Sequence, residues 1–119
     1  MLQIIDDAIA SHLAWADKFE VAIASGEVSE GMRVAGYDDL CEFGKWLYSL
    51  DDSVKHQAAY RKVKDLHYQF HSVSGQVVEL MNSNAFSKAQ QLIESSYGII
   101  SAQLLQALRE WQDLEKGKP

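Results

Sequence analysis

The sequence predicts an all-α protein, an antiparallel four-helix bundle with three long helices and one short Cys-bearing helix. Two observations carry this. Apolar residues recur three and four apart through four stretches, the period of a helix with one buried face. Helix breakers and strand formers are scarce: the one proline is the last residue, there is no threonine, and seven Ile and eight Val are the main β-branched content. A length of 119 residues, 47% hydrophobic and 24% charged, suits one globular domain with a core rather than a disordered chain.

The first stripe is Ile5, Ile9, His12, Ala16, Phe19 and Ile23, which predicts a helix over about 2–24 that stops at Ser25-Gly26. A loop of roughly a dozen residues follows, longer than most connections, with Gly26, Gly31 and Gly36 in it. The second segment starts at Asp38-Asp39, where Asp39 and Glu42 have capping-box spacing. It runs to about Ser49, with Cys41 in its first turn and Gly44 inside. The third begins after Asp51-Asp52-Ser53 and continues to Asn82 on the stripe His56, Tyr60, Val63, His67, Phe70, Ser74, Val77, Met81. Asn82-Ser83-Asn84 forms a turn. The fourth stripe is Phe86, Ala89, Ile93, Ser96, Ile100, Leu104, Ala107, Trp111, Leu114. The expected domain is 1–115, with 116–119 as tail or linker.

Seventeen acids against eleven Lys and Arg give a net charge of −6 and a pI near 5.1. Such a chain is repelled by phosphate, so neither nucleic acid nor an anionic membrane is expected as partner. Arg61-Lys62-Val63-Lys64 reads as a solvated helix face. The first residues carry Asp6 and Asp7 where a signal peptide needs a basic flank, and no apolar run approaches the ~18 residues of a spanning helix. A reducing cytoplasm is the expected compartment. One cysteine excludes an internal disulfide and any zinc site built from cysteine pairs.

Four histidines change the weight of that lone thiol. His12 and His67 occupy stripe positions, where an unpartnered polar group costs about 1–3 kcal/mol. A histidine so placed is more often a hydrogen-bonded core residue than a ligand. His67 and His71, however, are four apart and leave one face of a helix together, which suits chelation. Cys41 in a first helical turn is expected to lose its proton more readily near the positive end of the dipole. His56 lies eleven residues from His67, about 16 Å along a helix, so the two cannot share an ion. Three imidazoles and a thiolate, from His12, Cys41, His67 and His71, would close a tetrahedral zinc shell. By spacing alone, the metal and core readings stand level.

The flanking residues add a resemblance. His12 opens His-x-x-Trp with Trp15. After 28 intervening residues comes Cys41-Glu42-Phe43-Gly44-Lys45-Trp46, a Cys-x-Phe-Gly-x-Trp block. After 25 more comes His67-Tyr68-Gln69-Phe70-His71, with Gly75 four residues on. In order and spacing these blocks resemble the CZB domain, the bacterial chemoreceptor zinc-binding domain, over nearly the whole chain from about Ile5. The resemblance implies zinc held by His12, Cys41, His67 and His71. It also implies a part in zinc sensing or in the response to oxidants such as hypochlorous acid, with Cys41 the redox-sensitive member. Trp15, Gly44 and Trp46 match family positions that look structural. The physical expectation is that Gly44 permits close approach beside Cys41 and the tryptophans wall the site; plain core mass explains the tryptophans equally well.

The resemblance further implies a homodimer, and a chemoreceptor signalling or diguanylate cyclase domain in cis or in trans, so that chemotaxis or cyclic-di-GMP is the output. The chain carries neither output motif; an excised fragment and a stand-alone protein fit equally. The exposed end of the fourth stripe, Trp111 and Leu114, is a candidate dimer surface. Two other readings stay open: a metal-free helical adaptor, and a zinc hydrolase with Glu42 as base. The hydrolase is disfavoured because four protein ligands leave no position for water.

Overall fold

The computed structural model describes residues 1–118; Pro119, the end of the expected tail, lies outside the described residues. All regular structure among them is helical. Helix α1 spans Leu2–Ser25 and ends on Gly26, whose positive φ of 71° is the left-handed cap that glycine adopts without strain. The following loop is not structureless. It contains a 3-10 turn, Glu30–Val34, and buries Met32 and Ala35. Helix α2 is Glu42–Ser49, and α3 is a single turn, Asp52–Lys55. Helix α4 runs Ala58–Asn82. Helices α5, Phe86–Leu92, and α6, Gly98–Lys116, are joined through a π-helical turn, Ile93–Tyr97.

Three sequence expectations change. The third segment is broken at His56-Gln57, where Gln57 is extended and caps α4. Asp52, Ser53 and His56 are all exposed and Val54 alone packs on the core, too little to hold α3 on the axis of α4. The short helix begins at Glu42 rather than at Asp38-Asp39. Its cap is Cys41, whose Sγ accepts the Gly44 N–H at 3.2 Å, and residues 38–40 form a turn. In the fourth segment the π turn adds a residue to one turn and shifts the register. Tyr97 is buried where Ser96 was expected, and Ser96 is exposed. Gly98 N–H reaches Ile93 O, and a Cβ at Gly98 would stand 3.2 Å from that oxygen. Ser95 Oγ bonds back to Gln91 O at 2.8 Å, which loosens the α ladder at the same place.

Packing follows from the buried faces. Helix α6 lies against both α4 and α1, and α5 lies against α4. Ile5 and Phe19 of α1, Val63, Phe70 and Val77 of α4, and Leu104, Leu108 and Trp111 of α6 are all fully buried. Each such side chain is worth about 1.5–3 kcal/mol against exposure. Trp111 is therefore spent on the core and offers nothing to a partner; Leu114 is 58% exposed. Gln112 Nε2 donates to Asp6 across α6 and α1, and Tyr60 Oη donates to Leu47 O at 3.0 Å, fixing α2 to α4. No described helix is long and apolar enough to cross a membrane.

Candidate metal centre

Two helices and the turn that caps a third bring four side chains together. His12 comes from the middle of α1, Cys41 from the cap of α2, and His67 and His71 from successive turns of α4. The ligand atoms of the four all lie within 4.8 Å of one another. His67 Nε2 is the centre of the group, 3.1 Å from His12 Nε2, 3.1 Å from His71 Nε2 and 3.2 Å from Cys41 Sγ. The three histidines are buried and Cys41 is half-buried. His56 is exposed and apart from the group.

Backbone carbonyls orient two of the rings. His12 Nδ1 lies 2.6 Å from Ala8 O, and His71 Nδ1 lies 2.7 Å from Ala35 O. A carbonyl can only accept, so each Nδ1 carries the proton and each Nε2 presents a lone pair to the cluster. Ala8 is one turn before His12 on α1. Ala35 belongs to the loop, and two glycines let it come close. A Cβ on Gly75 would stand 2.8 Å from Gly36 Cα, and one on Gly36 would stand 3.2 Å from Gly75 Cα. Spacing could not show these carbonyls; Gly75 in the third block was their trace in the sequence.

Gly44 serves the same purpose at the thiol. A Cβ there would collide with the Asp38 carbonyl and come within 3.2 Å of His67 Cε1. The backbone it admits is that of the Cys41 turn, as expected of close approach at this position. Both tryptophans pack among other aromatic rings. Trp15 packs on Phe19 at 5.6 Å, under Lys18, and Trp46 packs between Phe43 and Trp111. The phenylalanines that meet the histidine rings are Phe43 and Phe70. Phe43 meets His67 edge-on at 5.3 Å, and Phe70 meets His12 at 5.1 Å and His71 at 5.3 Å. Both phenylalanines stand inside the sequence blocks, yet an apolar residue on a stripe gives no sign of which polar group it faces.

Burial sets the protonation. It lowers His12 to about 4, with the nearby His71 adding to the shift and the Ala8 carbonyl opposing it. Burial, then His71 and His12, push His67 far below its ordinary value. Burial also lowers His71, against the Ala35 carbonyl and the Asp38 carboxylate. All three rings are neutral at pH 7, the form that ligates metal. The thiol departs from expectation. Burial raises the Cys41 pKa, and Asp38 and Glu42 raise it further; the N–H groups of Gly44 and Phe43 pull it down but do not prevail.

The donor set fits a cation. Two lone pairs converge on His67 Nε2, whose single proton, if present there, could satisfy only one of them well. Four N and S donors at ~2.0–2.3 Å from a common tetrahedral centre stand ~3.3–3.8 Å apart, and the 3.1–3.2 Å contacts and 4.8 Å limit bracket that value. The family model described as chemoreceptor zinc-binding domain, CZB, matches residues 12–78. The chain belongs to the CZB family. The match begins at His12 and includes all four clustered residues, but it stops before α5 and α6, a shorter span than the expected start near Ile5 and end of the last helix. No curated protein and no solved structure matches the chain. The CZB assignment names zinc as the family's metal; the three-nitrogen, one-sulfur donor set is chemically suited to it.

Proposed function

We propose that this CZB domain is a zinc-binding sensory module, with His12, Cys41, His67 and His71 as ligands through three Nε2 atoms and one Sγ. The observation that carries the reading is the convergence of these four donor atoms within 4.8 Å in a buried pocket. When bound, zinc supplies a closed four-coordinate cross-link with no position for water. The remaining parts are the chain's own. Ala8 and Ala35 aim two imidazoles, and Phe43 and Phe70 exclude water. The Cys41 turn is half-buried, the least enclosed of the four. Glu42 is exposed and pairs with Lys45 at 3.4 Å, which favours the sensory reading over a hydrolase with Glu42 as base.

The setting we infer is bacterial signalling in the cytoplasm, with chemotaxis or cyclic-di-GMP as output through a signalling or cyclase domain in cis or in trans. Cys41 is the group through which an oxidant such as hypochlorous acid would act on the site. The packing of α6 against α4 and α1, with short turns from α2 through α3 and α4 to α5, supports an antiparallel bundle. Ile99 and Leu114 of α6 are exposed apolar residues that support a homodimer, which sedimentation velocity tests.

The deciding experiment is the metal content of protein purified without a histidine tag. One zinc per chain, with melting lowered by about 10–20 °C on chelation, is expected. No zinc, with melting unchanged by chelator, identifies a metal-free adaptor instead. Cys41→Ser is expected to weaken zinc binding and to abolish any oxidant response; retention of both sinks the role given to the thiol.

A further inference from the structure

Of the four clustered residues, His12, His67 and His71 ride on long helices whose neighbours are buried. Cys41 rides on the turn at residues 38–41 and needs other ties. Two of them are backbone: the Gly44 N–H on Cys41 Sγ at 3.2 Å, and the Asp38 carbonyl seated on Gly44, with Cys41 Sγ 3.6 Å from its oxygen. The third joins two side chains. Tyr48 Oη, in the last turn of α2, donates to the Asp38 carboxylate at the head of the turn. Tyr48 is itself anchored. Its carbonyl accepts Lys55 Nζ at 2.9 Å, and Tyr60 of α4 holds the adjacent Leu47 carbonyl. The chain from α4 through α2 to Asp38 is thus closed by one phenol–carboxylate bond, and opening it frees the end of the turn three residues before the thiol.

We propose that Tyr48 and Asp38 are positioning residues that hold the Cys41 turn against the histidine cluster and slow the release of metal from it. This rests on the zinc reading above. A hydrogen bond to a carboxylate is stronger than a neutral one, and solvent exposure of this pair reduces its effect. A change of about 3- to 10-fold in the opening of the turn is the scale expected.

Tyr48→Phe in the full chain tests it, since the half-exposed ring stays and one hydroxyl leaves. In metal-free protein, the Gly44 amide should exchange with solvent about 3- to 10-fold faster, while the Phe70 amide in α4 keeps its rate. On zinc-loaded protein, transfer of the ion to a chromophoric chelator should speed by a similar factor. Unchanged Gly44 exchange overturns the clasp, and so does acceleration shared equally by Phe70, which marks general destabilisation. Unchanged zinc transfer overturns its role in metal release. Absence of zinc from the wild-type protein ends the zinc reading instead, while Gly44 exchange in metal-free protein still judges the clasp.

Discussion

The histidine cluster and the aromatic core that flanks it treat buried polar atoms differently. Around the cluster, imidazole protons are matched to carbonyls: His12 to Ala8 and His71 to Ala35, and nearby Ser74 Oγ donates to Phe70 O at 2.7 Å. In the π turn and further along α6, two donors are buried with no partner among the described residues, Tyr97 Oη and Trp111 Nε1. Both rings are almost fully enclosed. The first region is built to hold atoms in place, the second to fill volume. In the first, Nε2 lone pairs are left free and converge, which is costly without a cation and serves chemistry with one.

The largest expected effect comes from removing the centre of the first region. His67→Leu should lower zinc affinity by about three orders of magnitude, since a structural site's large binding free energy is shared among four ligands. Calorimetric titration measures it. The same change should leave chelated protein as stable as chelated wild type or more so, because it removes a buried polar ring from among lone pairs. A chelated variant that melts well below chelated wild type would show that the cluster stabilises the fold by hydrogen bonding alone.

Acid is the next lever. In the unfolded chain His12 titrates near its ordinary 6.5, and in the fold burial lowers it to about 4. Between those values the unfolded state binds a proton that the folded state refuses. Stability is therefore whole above about pH 6.5 and falls as the pH drops towards 4, by about 3 kcal/mol for His12. His67 and His71 shift in the same direction and add to the loss. Chelated protein should melt at a constant temperature from about pH 8 to 7 and progressively lower down to about pH 5. A flat profile across that range contradicts burial of neutral rings.

How much of this was legible in sequence divides along the same line. The four clustered residues and the helices that hold the three histidines could be read, because periodicity fixes faces and the His-x-x-Trp, Cys-x-Phe-Gly-x-Trp and His-x-x-x-His blocks fix order; Cys41 caps its helix rather than lying in it. The Ala8 and Ala35 carbonyls could not, since every residue has one and only the path of the chain selects it. The direction of the thiol's shift was missed because a helix N-terminus is visible in sequence and burial is not. The slip from Ser96 to Tyr97 was hidden because an α-period was carried unbroken through Ile93–Tyr97.

Gly75→Ala should show that borrowed carbonyls matter. The added Cβ would meet Gly36 backbone at 2.8 Å, so the loop must lift and take Ala35 O from His71. Zinc affinity is expected to fall about 10- to 100-fold, the usual cost of losing a partner behind a ligand, and chelated protein to lose about 1–3 kcal/mol. Gly31→Ala is the control: nothing lies within 4 Å of its Cβ, and a change within about 0.5 kcal/mol is expected. Equal effects at the two glycines would remove the close approach from the account of His71.

The smallest effect belongs to the second region and has the opposite sign. Tyr97 packs on Phe19 and Phe70, both at 5.4 Å, and Phe70 in turn meets His12 and His71. Its hydroxyl is desolvated, which pushes its pKa well above the ordinary phenol value. Tyr97→Phe keeps the ring and its contacts while removing only the unpartnered oxygen. Loss of an unsatisfied buried group should stabilise by about 1 kcal/mol, a rise of a few degrees in melting, with zinc affinity unchanged. The equivalent removal at the cluster, His67→Leu, should leave the fold standing and cut zinc affinity by about three orders of magnitude. If Tyr97→Phe instead weakened zinc binding, the hydroxyl would have a partner in the working protein and the two regions would not be separate. Unchanged binding in a more stable protein is the outcome that keeps them apart.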